Sequence, residues 1–350
     1  MNLTRFRVGL SAGFLKSDGR PAYPDFDLAP LTGDVGVELV MLRNGSEIAP
    51  RDVAELDALI LLGENFSRDS IDAGNRLALV ARFGVGYDTV DVAACSKNAI
   101  AVTITPDGVR RPVAVSVLAL LLALTGRMFD KDRLTRLGPD GFARRSAYMG
   151  TGLVGRTFGL VGIGNIGAEV VRLAKPFGMT IVAHDPFADP VVAHELGIRL
   201  VELDELFRIS DFISLHCPLT PDTRHLVDAR RLGLMKSGAY LINTARGPVV
   251  DQQALTAALR ERRIAGAGLD VFDPEPPAAD DPLLALDNVV LAPHALCHTD
   301  QCFAGIGAAC VAAATAVRQG RVPETLVDPG VVDNPTFTAK LAAYARRHSL

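Results

Sequence analysis

Short runs of apolar and β-branched residues alternate with longer stretches of helical spacing along the second half of the chain. The apolar runs are FGLVGI, TIVAH, FISLH, AYLIN, AGAGLDVF and NVVLAPH, and the stretches between them include the amphipathic DQQALTAALRERR. Alternation of this kind is typical of βαβ units that assemble into a parallel sheet. The pattern therefore predicts a doubly wound parallel sheet that begins near residue 158 and ends near residue 294.

The first part of the chain repeats the alternation more weakly, in FRVGLS, VELVML, ALILLG, LALVARFG and IAVTIT. The helical stretch GIGAACVAAATAVRQG near the other end provides a closing element for this smaller domain. We therefore expect an α/β fold with two Rossmann-like domains. The smaller one is discontinuous, residues 1–112 and 297–335, the central one spans 113–296, and 336–350 form a disordered C-terminal tail.

The longest apolar run, VAVSVLALLLAL from Val113 to Leu124, is shorter than the roughly 20 residues that span a bilayer. It predicts a buried helix that joins the two domains, with Pro112 in its first turn. The amino-terminal residues have too short an apolar stretch for a signal peptide. A membrane location is not expected.

Composition and charge point to a soluble protein that acts on small molecules. The 36 Lys and Arg residues nearly balance the 40 Asp and Glu residues, and a net charge of -4 provides no attraction for nucleic acid or anionic lipid. Five cysteines form an odd, scattered set, which argues against a disulfide framework and favours a reducing compartment. We expect a cytoplasmic protein.

The stretch VGIGNIG places Gly162, Gly164 and Gly167 between an apolar strand and a helical pattern. Glycines at this spacing allow a tight turn and a close approach of the backbone to a pyrophosphate at the helix amino terminus. Asp185 follows the next strand, where a carboxylate accepts hydrogen bonds from a ribose diol and repels a 2'-phosphate. The combination predicts a dinucleotide site that prefers NAD to NADP.

Three further stretches, LINTARG, AGLDVFDPEPP and VLAPHALCHTD, each follow a predicted strand. Ligands of doubly wound sheets bind at the carboxyl ends of the strands, so we expect these stretches to converge. They provide Arg246, Asp270, Glu275 and His294. Arginine suits a substrate carboxylate because its planar fork donates two parallel hydrogen bonds.

These motifs, in this order, resemble those of the D-isomer-specific 2-hydroxyacid dehydrogenase family, and the resemblance covers nearly the whole chain. It implies that Arg246 of NTARG binds and polarises a 2-oxo acid. It also implies that Glu275 of GLDVFDPEP supports His294, the acid/base of the PH pair. The resemblance further implies an NAD-dependent oxidoreductase of the glyoxylate, hydroxypyruvate or phosphoglycerate class, and we expect a homodimer.

The resemblance extends to the substrate loop and the cofactor site. In ARFGVGYDTVD the backbone amides of Val85 and Gly86 are expected to bind the substrate carboxylate as a small anion nest. Asp270 is expected near the nicotinamide amide. The implied cofactor contacts are Gly162, Gly164, Asn165, Ile166, Gly167, Asp185, Cys217, Pro218, Thr223, Thr244, Ala245 and Asp270.

The chemistry of hydride transfer requires the same residue types. Transfer to a ketone leaves negative charge on the oxygen, so the site needs a proton donor and an adjacent cation. His294 and Arg246 are the candidates. Glu275 is expected to hydrogen-bond His294.

Several alternatives remain at this point. His294, Cys297, His298 and Cys302 are zinc-ligand types within nine positions, but no second spaced ligand pair accompanies them, so no metal is expected. A dinucleotide-sensing binding protein, such as the corepressors of this family, would retain all three polar residues. A relative acting on formate or phosphite is disfavoured, since the formate enzymes pair the histidine with glutamine.

The segment from Lys16 to Leu31 is either a lid or a surface loop.

Overall fold

A computed structural model describes residues 5–348 except 17, 24, 25, 44 and 73. The chain divides into two compact units, a smaller one formed by Met1–Val109 with Thr299–Leu350 and a larger one formed by Arg110–His298. Each unit is built around one parallel sheet.

The smaller unit contains a five-stranded sheet in the order β2-β1-β3-β4-β5. Every neighbouring pair is parallel, so the carboxyl ends of all five strands lie at one edge. Four-residue strands such as ALIL are wholly buried, as expected for a sheet covered on both faces. The strands are β1 (Phe6–Leu10), β2 (Val37–Met41), β3 (Ala58–Leu61), β4 (Leu79–Arg82) and β5 (Ala101–Thr103).

The larger unit contains a seven-stranded parallel sheet in the order β12-β11-β10-β9-β6-β7-β8. The order reverses at β6, which is the topological switch point where such sheets bind ligands. The strands are β6 (Thr157–Val161), β7 (Thr180–His184), β8 (Arg199–Leu200), β9 (Phe212–Leu215), β10 (Tyr240–Asn243), β11 (Gly266–Leu269) and β12 (Val289–Leu291). The predicted fold class, two Rossmann-like parallel sheets, is confirmed.

Helices connect the strands in both units. Several begin at an aspartate whose side chain accepts a hydrogen bond from a backbone amide of the first turn. Asp251, for example, accepts one from the Ala254 amide. The α-helices are α1 (Ala29–Thr32), α2 (Pro50–Val53), α3 (Val92–Lys97), α4 (Pro106–Gly126), α5 (Met128–Arg136), α6 (Pro139–Ala143), α7 (Asn165–Ala174), α8 (Pro190–Glu195), α9 (Leu203–Ile209), α10 (Ala229–Leu232), α11 (Gln252–Arg260), α12 (Asp300–Arg318) and α13 (Pro335–His348). The 3-10 helices are Ala12–Phe14, Arg68–Ser70, Arg145–Tyr148, Lys175–Phe177, Gly247–Val249, Pro282–Ala285 and Pro329–Asp333.

Helix α4 starts earlier than predicted. It begins at Pro106, so Pro112 lies inside the helix and not in its first turn. Pro106 provides the preset backbone angle at the first turn, and the helix continues through the second proline. The run Val113–Leu124 is helical as expected, and its residues Val117, Leu120 and Leu121 are buried.

The expectation of a disordered tail after residue 335 is wrong. Helix α13 packs against the smaller unit through the buried side chains of Phe337, Leu341 and Tyr344. The Lys340 ammonium donates to the carbonyl oxygen of Leu77 at 2.6 Å, which ties the helix to the start of β4. The apolar spacing of this segment is helical, and burial of that face stabilises it.

The segment from Lys16 to Leu31 contributes aromatic side chains to the smaller unit, although residues 17, 24 and 25 lie outside the described part. Phe26 stacks on Phe14 with ring centroids 5.3 Å apart, and Tyr23 stacks on Phe303 at 4.3 Å. The Phe26 ring also meets the edge of Phe83 at 5.0 Å. These contacts hold the described residues of the segment against the core of this unit.

Two helices among the described residues, α4 and α12, are long and apolar enough to cross a membrane. In both, 56% of the apolar window is buried inside the protein, as in the core helices of soluble proteins. No disulfide joins any of the five cysteines in the part of the chain that the structure describes.

Candidate active site

The turn after β6 leaves the backbone uncovered at the start of α7. Gly162 has φ +93°, and a Cβ on Gly167 would lie 2.4 Å from the Gly162 carbonyl oxygen, so both positions require glycine. A Cβ on Gly164 would meet open space. The amides of the helix amino terminus therefore face an open cradle, which fits a dinucleotide pyrophosphate. Asn165 and Ile166 form the first positions of that helix.

Asp185 follows β7 and bonds to the same turn. Its Oδ2 accepts a hydrogen bond from the Ile163 amide and its Oδ1 accepts one from the Phe187 amide, each at 2.9 Å. The carboxylate is only partly buried and has further lone pairs for ribose hydroxyls. Asp185 therefore both supports the glycine turn and fits the role of an acidic ribose contact.

His216 lies beside this turn and was not predicted from the sequence. The register of β9 and β10 pairs Leu215 with Asn243, so His216 and Thr244 follow at neighbouring positions of the sheet edge. The His216 Nε2 and the Thr244 Oγ1 are buried and find no hydrogen-bond partner among the described residues. Burial lowers the pKa of His216 to about 4, so its imidazole is neutral. The sequence signal that could have identified His216 is its position directly after an apolar strand.

The loop after β9 carries the next predicted cofactor residues. Burial raises the pKa of the Cys217 thiol to about 11, so this side chain is uncharged at neutral pH. The Thr223 hydroxyl donates to the Pro218 carbonyl oxygen at 2.6 Å and accepts the Thr220 amide at 2.8 Å. The loop is therefore held by its own hydrogen bonds.

Arg246 stands in a tightly held loop after β10. The buried Asn243 accepts the Ala245 amide at 3.0 Å and donates to the Arg246 carbonyl oxygen at 2.9 Å. A Cβ on Gly247 would lie 1.7 Å from the Phe272 carbonyl oxygen, so only glycine allows this backbone contact between the loops after β10 and β11. The sequence analysis did not identify Asn243 as a residue of the site. The signal that could have identified it is a polar side chain at the end of an apolar strand.

Glu275 and His294 form a close pair. The distance from Glu275 Oε1 to His294 Nδ1 is 2.5 Å, which confirms the predicted hydrogen bond. Glu275 Oε2 accepts the Phe272 amide at 3.2 Å. Burial alone would raise the pKa of Glu275, but the His294 hydrogen bond and charge, the Phe272 amide and the Arg246 charge together hold it below its usual value. Glu275 is therefore ionised at neutral pH, and Arg246 is close enough to influence it.

Asp270 braces the backbone that follows His294. Its Oδ1 accepts the Ala295 amide at 3.0 Å, and both oxygens lie 3.3 Å from the Leu296 amide. Burial raises the pKa of Asp270, and these two amides act in the opposite direction. His294 itself has φ +52°, a left-handed conformation that is uncommon for a non-glycine residue and is often found at functional sites.

The predicted anion nest lies in the smaller unit, after β4. Gly84 has φ +135°, and its carbonyl oxygen accepts the Thr105 amide at 3.0 Å. Within the described residues, the amides of Val85 and Gly86 donate no hydrogen bond to protein atoms. They are therefore available to an anion.

The four candidate zinc ligands do not converge on a metal geometry in the described part of the chain, where no group of three or more His, Cys, Asp or Glu residues is arranged to hold a metal ion. His294 is bonded to Glu275 instead. Cys302 lies in the first turn of α12, where its amide donates to the Thr299 hydroxyl at 3.2 Å.

Comparison with known proteins shows which family this chain belongs to. Residues 118–295 match the family model described as D-isomer specific 2-hydroxyacid dehydrogenase, NAD binding domain. A glyoxylate reductase from Korarchaeum cryptofilum is 43% identical over 80% of this chain and 85% of that protein. A D-3-phosphoglycerate dehydrogenase from Methanocaldococcus jannaschii is 37% identical over 79% of this chain and 52% of that protein.

A solved structure shares the fold across nearly the whole chain. D-lactate dehydrogenase from Aquifex aeolicus, complexed with NAD and lactic acid, has a TM-score of 0.78 and 29% identity and covers 91% of this chain and 98% of its own. The glycine turn and Asp185 fit the cofactor that the family's domain binds. The chain therefore belongs to the D-isomer specific 2-hydroxyacid dehydrogenases and is an NAD-dependent oxidoreductase.

Proposed function

We propose that the protein interconverts a small 2-oxo acid and its D-2-hydroxy acid, with His294 as the acid/base, Glu275 as its partner and Arg246 as the substrate-binding cation. The substrate belongs to the glyoxylate, hydroxypyruvate or phosphoglycerate class. The observation that carries the proposal is the 2.5 Å hydrogen bond between Glu275 and His294, formed where two strand-end loops meet in the larger unit.

The pair explains how a proton is held for the reaction. Because Nδ1 of His294 is bonded to Glu275, its Nε2 is the ring nitrogen left to exchange a proton with the substrate oxygen. The ionised Glu275 stabilises the charged imidazolium, which is the form that protonates a reduced carbonyl. NAD supplies the hydride chemistry when bound.

Arg246 provides the positive charge that the developing alkoxide needs. Its loop is fixed by Asn243 and by the Gly247 backbone contact, so the guanidinium is attached to a rigid base. The free amides of Val85 and Gly86 bind the substrate carboxylate. The cofactor contacts are Gly162, Gly164, Asn165, Ile166, Gly167, Asp185, Cys217, Pro218, Thr223, Thr244, Ala245 and Asp270.

A homodimer is part of the proposal. The segment from α5 to the 3-10 helix that precedes β6 exposes large apolar side chains close together in sequence: Met128, Phe129, Leu137, Phe142 and Met149. Exposed apolar side chains of this size are common at association sites, and a second copy of the chain is their proposed partner. We further propose that residues 113–296 act as the NAD-binding domain, that residues 1–112 with 297–335 act as the substrate domain, and that the protein is cytoplasmic.

A steady-state screen tests the activity. Purified protein is mixed with NADH and a panel of 2-oxo acids, and NADH oxidation is followed by absorbance. We expect turnover of at least one small 2-oxo acid and formation of the D-isomer. NADH binding without turnover of any panel member would instead support a dinucleotide-sensing protein.

Replacing Glu275 with glutamine should shift the pH profile. Since His294 lowers the pKa of Glu275, the ionised Glu275 must equally favour the protonated form of His294. Glu275→Gln removes this negative charge from the pair and keeps a hydrogen-bonding group. In Glu275→Gln, kcat/KM for reduction should fall earlier as pH rises, and kcat/KM for oxidation should persist to lower pH.

The matched control for that experiment is Asp273→Asn. Asp273 lies on the same loop, and its carboxylate is 3.8 Å from Arg224 and bonds no part of His294. In Asp273→Asn, the pH dependence of kcat/KM for reduction and for oxidation should match that of the wild type. An unchanged pH dependence in Glu275→Gln would contradict the role of Glu275.

Asp185 should determine the preference for NADH over NADPH. Asp185→Asn retains an oxygen that can accept one of the two amides but loses the charge that repels a 2'-phosphate. The ratio of kcat/KM for NADH to that for NADPH should fall by about tenfold. Asp189→Asn, a change at an exposed helix cap nearby, should leave the ratio unchanged. Equal use of both cofactors by the wild type would refute the assignment.

A further inference from the structure

We propose that Arg110 is a cofactor-binding residue whose guanidinium contacts the pyrophosphate of NAD at the start of α7. This inference rests on the proposed cofactor contacts of the glycine turn and adds a charged side chain from a different helix, α4. Arg110 lies outside residues 118–295, the part of the chain that matches the family's NAD-binding domain. None of the sequence motifs that predicted the cofactor site includes it.

Two consecutive arginines of α4 bond two residues of α7. Arg110 Nη1 donates to Asn165 Oδ1 at 3.3 Å, and Arg111 Nη1 donates to Glu169 Oε1 at 2.6 Å. Asn165 and Glu169 are four positions apart in α7, so they lie on the same face of the helix, one turn from each other. The two bonds together fix Arg110 at the first turn of α7, and all four residues belong to the larger unit.

The two bonds differ in their chemistry. Arg111 bonds a carboxylate, Glu169, which also lies 3.2 Å from the guanidinium of Arg172 in the next turn of α7. Arg110 bonds the neutral carboxamide of Asn165, and this bond positions the guanidinium without cancelling its charge. Arg111 therefore serves the packing of the two helices, whereas Arg110 brings a positive charge to the first turn of α7.

The electrostatics of this turn favour an anion. The amino terminus of an α-helix carries a partial positive charge, and Arg110 adds a full charge of the same sign. Like charges at one place repel each other, and an anion bound beside both of them relieves that repulsion. The negatively charged pyrophosphate is the part of the cofactor that doubly wound folds hold at this helix terminus.

The first turn of α7 is also open to a ligand that carries phosphate groups. Gly164 and Asn165 are exposed, and a Cβ on Gly164 would meet open space. A guanidinium has five N–H donors, and the bond to Asn165 uses one of those of Arg110. Its planar fork matches the spacing of two phosphate oxygens, which a single point charge does not.

Two fragments of the cofactor separate the pyrophosphate from the rest. ADP-ribose contains the pyrophosphate, whereas adenosine contains no phosphate, and fluorescence displacement of NADH gives the dissociation constant of each. In Arg110→Met, the dissociation constants of NADH and ADP-ribose should rise about tenfold, the loss expected for a hydrogen bond between charged groups. The dissociation constant of adenosine should change by no more than about twofold. Arg110→Lys, which retains a positive charge, should recover part of the affinity for ADP-ribose.

Arg111→Met is the matched control. It removes the neighbouring guanidinium and its bond to Glu169, so it loosens the same pair of helices without changing the charge at the first turn of α7. Its affinity for ADP-ribose should stay within about twofold of the wild type. Added salt should weaken ADP-ribose binding to the wild type and to Arg111→Met more than to Arg110→Met, because salt screens the attraction between Arg110 and the pyrophosphate.

The possible outcomes separate this inference from the proposed cofactor site. An unchanged affinity for ADP-ribose in Arg110→Met would overturn the role of Arg110 while the contacts of the glycine turn stand. Equal losses for ADP-ribose and adenosine, or an equal loss of ADP-ribose affinity in Arg111→Met, would show that Arg110 only holds the two helices together. A wild-type protein that binds neither NADH nor ADP-ribose would overturn the cofactor site as well.

Discussion

His294→Asn should lower kcat by about 10²- to 10⁴-fold in both directions, because general acid/base catalysis contributes a factor of this size. Asparagine is the informative replacement, since His294 has φ +52° and asparagine tolerates the left-handed region better than alanine does. The reduction then lacks its proton donor and the oxidation lacks its proton acceptor. Steady-state rates measure the loss, and fluorescence titration should show NADH affinity within about threefold of wild type.

His225 provides a matched control in the same unit. It also has a left-handed backbone, with φ +51°, and its Nε2 lies 3.9 Å from the Asp273 carboxylate. His225→Asn should leave kcat within about twofold of wild type, a change that corresponds to less than about 0.5 kcal/mol. Near-native turnover in His294→Asn would show that another group performs the proton transfer, and His298 would be the next candidate to test.

Arg246→Lys should lower kcat/KM for the oxo acid by about 10²-fold, through both a higher KM and a lower kcat. The lysine ammonium retains a positive charge but cannot reproduce the planar, two-pronged contact of a guanidinium with a carboxylate or developing alkoxide. The loop should keep its shape in this variant, because Asn243 and Gly247 hold it through backbone groups. NADH affinity should remain almost unchanged.

Arg224→Lys is the control for the loss of a guanidinium in this unit, since Arg224 is exposed and lies 3.8 Å from Asp273. It should retain wild-type kcat and KM. If Arg246→Lys weakens NADH binding and leaves KM for the oxo acid unchanged, Arg246 belongs to the cofactor site.

The apolar periodicity was sufficient to predict eleven of the twelve strands, because parallel strands buried on both faces form continuous apolar runs. The exception is β8, Arg199–Leu200, whose two residues are exposed and too short for any periodic signal. The strand forms because these two residues pair with β7 at the edge of the sheet. Similarly, helix α13 depends on contacts with distant residues such as Leu77, which local spacing does not reveal.

The candidate site divides in the same way. Motif order and strand ends were sufficient to nominate Arg246, Glu275 and His294, because side chains that follow parallel strands meet at one edge of the sheet. The hydrogen bond between Glu275 and His294 was inferred from residue type and is present at 2.5 Å. Asp270 was expected beside the nicotinamide, and the structure adds two bonds to backbone amides after His294.

By itself the sequence determined the two parallel sheets, the glycine turn and the order of the polar residues, since these depend on local spacing and residue chemistry. Tertiary structure alone decided which polar atoms are held and which are left to a ligand. Asn243 fixes the Arg246 loop, and the neutral His216 has a buried Nε2 without a partner among the described residues. Asp270 holds the backbone that follows His294 through the Ala295 amide. Such contacts join residues far apart along the chain, and only the packing of strands and loops brings them within hydrogen-bonding and electrostatic range.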